Sequence, residues 1–385
     1  MDFDLTEEQQ ILCDSIRRFA RRELAPGAVA RAAAPAYPRD VARRMAELGL
    51  MGLSLPAEKG GAGGSLCDAI IAIQAVAEFC PRSADVVQAG NFGPLRTFAE
   101  YATPDQCARW LPALLAGDMT ISLGMTEPDA GSAVTELATT ARPDGDGHVI
   151  DGRKIFGTHS AEAGLFLIYV RFGPGPDGIG SVLVERNTPG FEIGPPSRFM
   201  NGEHWAPLYF DACRIPAANV LLGPGGFRRQ MAGFNVERLG NAARAVALGR
   251  HAFELAREHA LTRRQFGKPL AQFQGLQWKF ADMALRLDSA QLLLMRAAVR
   301  ARNGIPDAQD AAMAKLACNE AGHFAANEAL QVMGALGFSE DSLVQYCLRR
   351  TRGWMIAGGS VEILRNRIAE GIFGQSFSQR AGAPQ

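Results

Sequence analysis

The segment Phe234-Asn235-Val236-Glu237-Arg238-Leu239 places a carboxylate within what reads as a long helix. The residues three and four positions from Glu237 are Gly233, Phe234, Gly240 and Asn241, one apolar and the others small or polar. They leave room beside the carboxylate and put no cation at those positions, so the group can exchange a proton with a bound molecule. Arg238 projects about 100° away around the helix. An ordinary exposed Glu237–Arg238 pair is the bland alternative. Other candidates for chemistry fall away. Gly173-Pro174-Gly175-Pro176-Asp177-Gly178 fits GxGxxG by letters. Its two prolines, and Gly180 just after, oppose the helix that a dinucleotide fingerprint must open, so it reads as a turn. No Walker A, HExxH or GxSxG sequence occurs, the six His show no ligand spacing, and the seven Cys form no CxxC pair, so no metal site is expected.

The 385 residues carry 40 Lys and Arg against 40 Asp and Glu. That balance excludes nucleic-acid binding as the main task, because neutralising phosphates needs a basic excess or a strong basic stripe. It leaves a small molecule or a neutral surface as the partner. Hydrophobic residues at 47% and charged residues at 21% mark a globular chain. The start Met1-Asp2-Phe3-Asp4 is acidic and lacks the basic and apolar regions of a signal peptide, and no apolar run is long enough to span a membrane. With scattered, odd-numbered Cys, the expected location is a reducing cytoplasm.

These residues need scaffolding, and the pattern supplies it in three stretches. Thr6 and Gln9 have capping-box spacing before a helix over 6–24. Further helices are predicted after Pro38, with Val41, Met45 and Leu48 on one face, and over 66–81, 84–101 and 105–117, with a glycine-rich loop at 59–64. Short β-branched or aromatic runs follow at 166–170, 181–185, 191–193 and 208–210, and Asp151-Gly152 reads as a two-residue hairpin turn between Ile150 and Arg153. The chain then becomes helical again. Leu276, Phe280, Met283, Leu287, Ala290, Leu294 and Ala297 alternate steps of four and three, the seam of a packed bundle. Residues 307–334 are Ala-rich, and a last helix begins near Ser360. The expected class is α+β: an N-terminal helical domain over 1–118, a small β barrel or sandwich over 119–224, and a four-helix bundle over 225–385.

Four motifs punctuate this plan. Thr126-Glu127-Pro128-Asp129-Ala130-Gly131-Ser132 lies where helices give way to strands. Arg263-Arg264-Gln265-Phe266-Gly267-Lys268-Pro269, with Gln274 beyond it, separates two long helices. Gln331-Val332-Met333-Gly334 closes a third, and Gly358-Gly359-Ser360-Val361-Glu362 opens the last. In this order and at these distances they resemble the acyl-CoA dehydrogenase family, from the N-terminus through Ile372. The resemblance implies FAD as cofactor, a homotetramer or homodimer, an acyl thioester as substrate and electron-transfer flavoprotein as acceptor. By position it places Leu123, Thr126 and Ser132 near the flavin or the substrate's pantetheine arm, and Phe156 and Thr158 behind the flavin ring. Arg263, Phe266, Gln274 and Gln331 match residues that reach the adenine-diphosphate part across subunits. Ser360 and Glu362 match the last FAD contacts. The physics agrees: a guanidinium fork suits a pyrophosphate, and hydroxyls and amides can bond a flavin edge without adding charge. Core packing is the plain alternative for a residue such as Phe266.

Most of the family carries its catalytic base just before the Gly-Thr of the last helix, where this chain has Gly358 after Ala357. Isovaleryl-CoA and long-chain acyl-CoA dehydrogenases, which also lack that Glu, carry the base at the position of Glu237. The resemblance therefore implies Glu237 as the group that removes the α-proton while the β-hydride goes to the flavin, and a carboxylate returned to 358 is expected to restore part of its function. Asn235, Arg238, Gly358, Gly359 and Ser132 are the expected substrate contacts, and the small residues at 357–359 suit a branched, cyclic or otherwise bulky acyl group. Three alternatives stay open: a thioester on a carrier protein, carrying an acyl or aminoacyl group; a flavin oxidase or monooxygenase on the same scaffold; and a non-enzymatic scaffold or nucleic-acid-protecting relative, against which the neutral charge and the full FAD set speak. Arg349, Arg350 and Arg352 offer a basic turn for an acidic partner, with a solvated or intersubunit turn as the plainer reading.

Overall fold

The computed structural model describes residues 4–377. The acidic start at Met1–Phe3 and the tail beyond Phe377 lie outside the described residues. The α+β plan is met: N-terminal helices, a central sheet and a C-terminal helix bundle. The chain forms two compact units, meeting in sequence between Phe234 and Asn235.

The first unit opens with helices α1 (Glu7–Phe19), α2 (Ala28–Ala33), α3 (Arg39–Glu47), α4 (Leu66–Ala77), α5 (Ala84–Asn91), α6 (Gly93–Tyr101) and α7 (Pro104–Leu115). The Thr6–Gln9 capping box starts α1 as expected, and Ser65 with Asp68 and Thr103 with Gln106 repeat the device at α4 and α7. The single helix expected over 84–101 is two helices. Gly93 takes a left-handed φ of +66°, and Pro94 then starts α6 in the first-turn position that proline favours. Beneath these helices Arg82 is buried against the carboxylates of Asp85 and Glu203, a polar knot that no local sequence pattern announces.

Strands β1 (Ile121–Gly124), β2 (Thr140–Asp144), β3 (Gly147–Lys154), β4 (Leu165–Arg171), β5 (Ile179–Glu185), β6 (Phe191–Ile193), β7 (Ser197–Arg198), β8 (His204–Trp205), β9 (Leu208–Pro216) and β10 (Val220–Leu222) follow. Eight of them form one sheet in the order β10-β5-β4-β2-β3-β9-β6, with β1 pairing parallel to β4. Both faces of β4 are buried. Leu165, Leu167 and Tyr169 pack with Leu95, Phe98, Trp110 and Leu111 of α6 and α7, while Phe166, Ile168 and Val170 pack with Leu208, Phe210 and Ile215 of β9. This explains its unbroken apolar sequence. The expected turn at Asp151-Gly152 is not a turn. Both residues lie within β3, where the pairing with β9 shifts register at a bulge, and the hairpin reverses instead at Gly145-Asp146. The 173–178 glycines form the β4–β5 connection, as expected of a turn.

The second unit is built from α8 (Phe227–Thr262), within which the unit boundary falls, a hairpin of β11 (Arg264–Gln265) and β12 (Lys268–Pro269), and helices α9 (Gln274–Val299), α10 (Ala308–Met333), α11 (Ala335–Phe338), α12 (Leu343–Trp354) and α13 (Val361–Phe373). Of the predicted seam on α9, Met283, Leu287, Ala290, Leu294 and Ala297 are buried and Leu276 and Phe280 half-buried. A second apolar row on the same helix, Trp278, Leu285, Leu292 and Val299 at intervals of seven, is exposed. Helices α8 and α10 cross in close contact: a Cβ at Gly322 would stand 2.1 Å from the Ala245 carbonyl oxygen, and one at Gly249 would stand 2.7 Å from the Gly322 Cα. That crossing carries Lys315 of α10 to the level of the α8 residues described next.

Candidate active site

In the second unit, Glu237 lies part-way into the protein surface on α8. One turn on, the buried Asn241 donates from Nδ2 to Glu237 Oε1 at 3.2 Å. A further turn on, the buried Arg244 donates to Asn241 Oδ1 at 2.8 Å, and its guanidinium stacks over the Trp354 ring at 4.6 Å. Gly358 stands opposite. A Cβ there would meet Asn241 Nδ2 at 2.8 Å and Lys315 Cε at 3.3 Å, and its φ of +73° disfavours any side chain. Lys315 is fully buried and donates to the carbonyls of Trp354 and Gly359 at 3.0 and 2.9 Å; Asn319 adds a bond to the same Trp354 carbonyl. Burial, then repulsion from Arg238, pushes the Lys315 amine down to about 7, with Glu237 pulling the other way.

Arg238 turns away from Glu237, as its helical angle requires, and donates to Asn235 Oδ1 at 2.7 Å. Its guanidinium comes within 3.7 Å of the point a Gly359 Cβ would occupy. Burial, then the nearby Arg367, lowers it to about 10. The second unit thus gathers Glu237, Asn235, Arg238, Gly358 and Gly359 into one neighbourhood. Asn241, Arg244 and Lys315 belong to it too, and sequence reasoning missed their roles. Asn241 was visible as an i+4 neighbour, while Lys315 had no local signal.

The remaining C-terminal candidates fall into two places. Arg263, Phe266 and Gln274 lie at or beside the hairpin between α8 and α9, and Gln331 lies in the last turn of α10. Lys279 pairs with Glu328, and Arg296 with Asp310 at 3.1 Å, so α9 and α10 run antiparallel and bring Gln331 to the same end of the bundle. Sixteen residues of α10 separate Gln331 from Lys315, about 24 Å along the axis. Ser360 caps α13 by accepting from the Ile363 N–H at 3.4 Å, and a bond from Ser360 holds the exposed Glu362 carboxyl below its usual range. Arg349, Arg350 and Arg352 do not form a turn. They lie on α12, and Arg350 is buried with its guanidinium 4.9 Å from the Trp354 ring, so it is no part of a solvated basic surface.

In the first unit, Leu123 sits on β1, Thr126 and Ser132 on the following turn, and Phe156 and Thr158 on the turn after β3. They are drawn together. The Ile155 N–H donates to the Thr126 carbonyl at 2.9 Å, and Ser122 Oγ donates to the Thr158 carbonyl at 2.8 Å. Beneath the 126–132 turn, buried Glu127 accepts from Lys154 Nζ at 2.6 Å and from the backbone N–H groups of Ala138 and Thr139 at 2.6 and 3.0 Å. Burial works against its charge, but the Lys154 ammonium and these donors win and hold the carboxyl below its usual range. Thr158 and Ser132 are exposed and Thr126 half-exposed, so all three hydroxyls can reach a ligand.

Only five non-glycine residues among those described have a positive φ, and two of them are Phe156 (+59°) and Phe266 (+50°). Phe266 is 92% exposed at the tip of its hairpin, which rules out the core-packing alternative for it. Phe156 is exposed beside Trp205, ring centres 4.5 Å apart. Backbone strain of this kind persists only where the surrounding structure holds the residue in place.

Comparison with known proteins gives the class. Residues 6–118 match the acyl-CoA dehydrogenase N-terminal domain, 122–213 the middle domain and 224–373 the C-terminal domain. The chain belongs to the acyl-CoA dehydrogenase family and is an oxidoreductase of that type. Among its relatives, a 3-sulfinopropanoyl-CoA desulfinase of Paraburkholderia xenovorans (strain LB400) is 34% identical over 99% of this chain and 100% of its own. An acryloyl-CoA reductase (NADH) of Anaerotignum propionicum is 35% identical over 97% and 96%. The glutaryl-coenzyme A dehydrogenase structure in complex with glutaryl-CoA superposes with a TM-score of 0.92 at 29% identity, covering both chains in full. No helix among the described residues is long and apolar enough to cross a membrane.

Proposed function

We propose that the chain dehydrogenates the α,β bond of a branched, cyclic or bulky acyl-CoA, with Glu237 as the base that removes the α-proton. The enzyme is FAD-dependent and acts on an acyl-CoA-type thioester. A bound FAD would supply the acceptor for the β-hydride, and loss of the α-proton and that hydride would give the 2-enoyl thioester. The names of related proteins span a desulfinase, a reductase and dehydrogenases. The observation that carries dehydrogenation is the half-buried Glu237, bonded by the same Asn241 nitrogen that closes off the Cβ position of Gly358. Arg238 and Arg244 place positive charge locally beside Glu237 in a chain of zero net charge, suited to an anionic thioester.

The donor set fits FAD. Leu123, Thr126, Ser132, Phe156 and Thr158 offer one apolar contact, three hydroxyls and an aromatic face to a flavin, and Ser132 can serve the substrate as well. Arg263, Phe266, Gln274 and Gln331 offer a guanidinium, an exposed ring and two amides to the adenine-diphosphate part of a FAD in a neighbouring copy. The distance along α10 between Gln331 and the Gly358 neighbourhood favours that cross-copy arrangement, and Ser360 and Glu362 are the last proposed FAD contacts. The exposed row on α9 suits a homotetramer or homodimer. Electron-transfer flavoprotein is the proposed acceptor.

The test is anaerobic flavin bleaching by a panel of acyl-CoAs. Branched or bulky substrates are expected to bleach faster than butyryl- or octanoyl-CoA, and the reverse order removes the substrate reading. Glu237→Gln is expected to retain flavin and lose reduction by about two to four orders of magnitude. Near-normal reduction in that variant sinks the base assignment, and oxygen uptake during turnover points to an oxidase instead.

A further inference from the structure

We propose that Asn241 is a positioning residue for Glu237, held in a single amide orientation by Arg244, and that this relay sets the rotamer and basicity of the base. The proposal rests on the reading of Glu237 as base. A guanidinium can only donate hydrogen bonds and an ionised carboxylate can only accept them. An amide lying between the two therefore has one orientation: Oδ1 toward Arg244 and Nδ2 toward Glu237, at the 2.8 and 3.2 Å seen. Residues 237, 241 and 244 follow one face of α8 in steps of four and three. The far end of the relay is anchored as well. Arg244 stacks on Trp354, whose carbonyl is bonded by Lys315 and Asn319. The segment that carries Gly358 is thus the one that braces the amide serving Glu237.

Two consequences follow. A donor on Oε1 favours the ionised carboxylate, and it confines a side chain with three free torsions to one pose. Asn241 and Arg244 are both buried, so the relay is shielded from competing water. Lys315 from α10 feels Glu237, Arg238 and Arg244 of α8 together, and Arg367 of α13 acts on Arg238. Arg238 and Arg244 are cations and the Lys315 amine is pushed down to about 7, while Asn241 is a neutral group bonded directly to the carboxylate.

Asn241→Asp tests this with almost no change of shape. It keeps an acceptor for Arg244 and replaces the donor toward Glu237 by a second carboxylate. The rate of anaerobic flavin reduction is measured from about pH 5 to about pH 10 to trace the ionisation of the base. The rising limb is expected to move up by about one pH unit or more. Arg244→Met, which frees the amide to turn, is expected to give a smaller shift in the same direction and on the order of a tenfold slower limiting rate. If Asn241→Asp does not fold, Arg244→Met and Asn241→Ser carry the test. Unshifted midpoints in the folded variants overturn the proposal, a lower rate alone being what loosened packing gives. Glu237→Gln separates the two readings. If it still reduces flavin, the base assignment has failed; if it is inactive while the midpoints stay put, only the relay has failed.

Discussion

The Asn241 amide nitrogen lies 2.8 Å from the point where a Cβ would stand at Gly358. The two positions at which a base could be carried therefore compete for one space. The sequence alone led us to expect that Gly358→Glu would partly restore a Glu237→Gln enzyme. The structure reverses that expectation, because the new side chain meets Asn241 and Lys315 and needs an L-residue at φ +73°. Flavin reduction in the double variant is expected to stay at the Glu237→Gln level. Adding Asn241→Gly removes the nearest of these contacts, so a gain in the triple variant over the double one, read by stopped-flow bleaching, checks the geometry.

Lys315 predicts an alkaline effect. Its folded amine sits at about 7, whereas an unfolded lysine titrates near 10.4. Between those values the unfolded chain holds the extra proton, so this group's contribution to stability rises with pH, by at most about 1.4 kcal/mol per pH unit. Below 7 both states are protonated and the contribution is flat. A neutral amine still has two N–H groups for the Trp354 and Gly359 carbonyls. Denaturant unfolding of the wild type and Lys315→Met is expected to show a stability difference that grows in favour of the wild type from neutral pH to about pH 10.

The Glu127–Lys154 pair predicts an effect of the same sign in the acid range. Glu127 is held below its usual range, so its contribution is present above the ordinary carboxyl value and lost as pH falls through the folded one. Glu127→Gln leaves a buried ammonium without its counter-charge and should cost about 3–5 kcal/mol at neutral pH. Glu127→Gln combined with Lys154→Met should cost less than the single change. Equal losses in calorimetric unfolding would contradict the pairing.

The exposed row Trp278, Leu285, Leu292 and Val299 predicts an assembly effect. Leu285→Arg with Leu292→Glu leaves the buried seam of α9 intact, so the monomer should fold. It should sediment as a smaller species than the wild type. If the proposed cross-copy site is correct, it should also lose FAD on dilution.

Much of the fold was legible because local rules governed it. The capping boxes, the α9 seam and the unbroken apolar run of β4 each follow from spacing within one element. The hairpin error shows where that stops. Asp-Gly occurs at 144–145, 146–147 and 151–152, yet the turn falls on Gly145-Asp146 between the first two, and only the pairing of β3 with β2 and β9 decides where the chain turns and where it bulges. The break at Gly93-Pro94 was written in the sequence as a helix breaker and was overrun by the apolar periodicity around it. In the site, Glu237 and Gly358 were legible as a pair through the family resemblance. Lys315 was not, because 43 positions separate it from Gly358 and the Gly249–Gly322 crossing is what sets its level in the bundle.

Phe156 and Phe266 keep a left-handed backbone that glycine would adopt freely. Replacing either by glycine would relieve strain of roughly 1–2 kcal/mol while removing a ring offered to a ligand. If the two rings hold FAD as proposed, relief of backbone strain and ligand binding pull these two positions in different directions. On the proposed roles of these two rings, a search for heat-resistant variants of this enzyme would be drawn toward changes that weaken its hold on FAD.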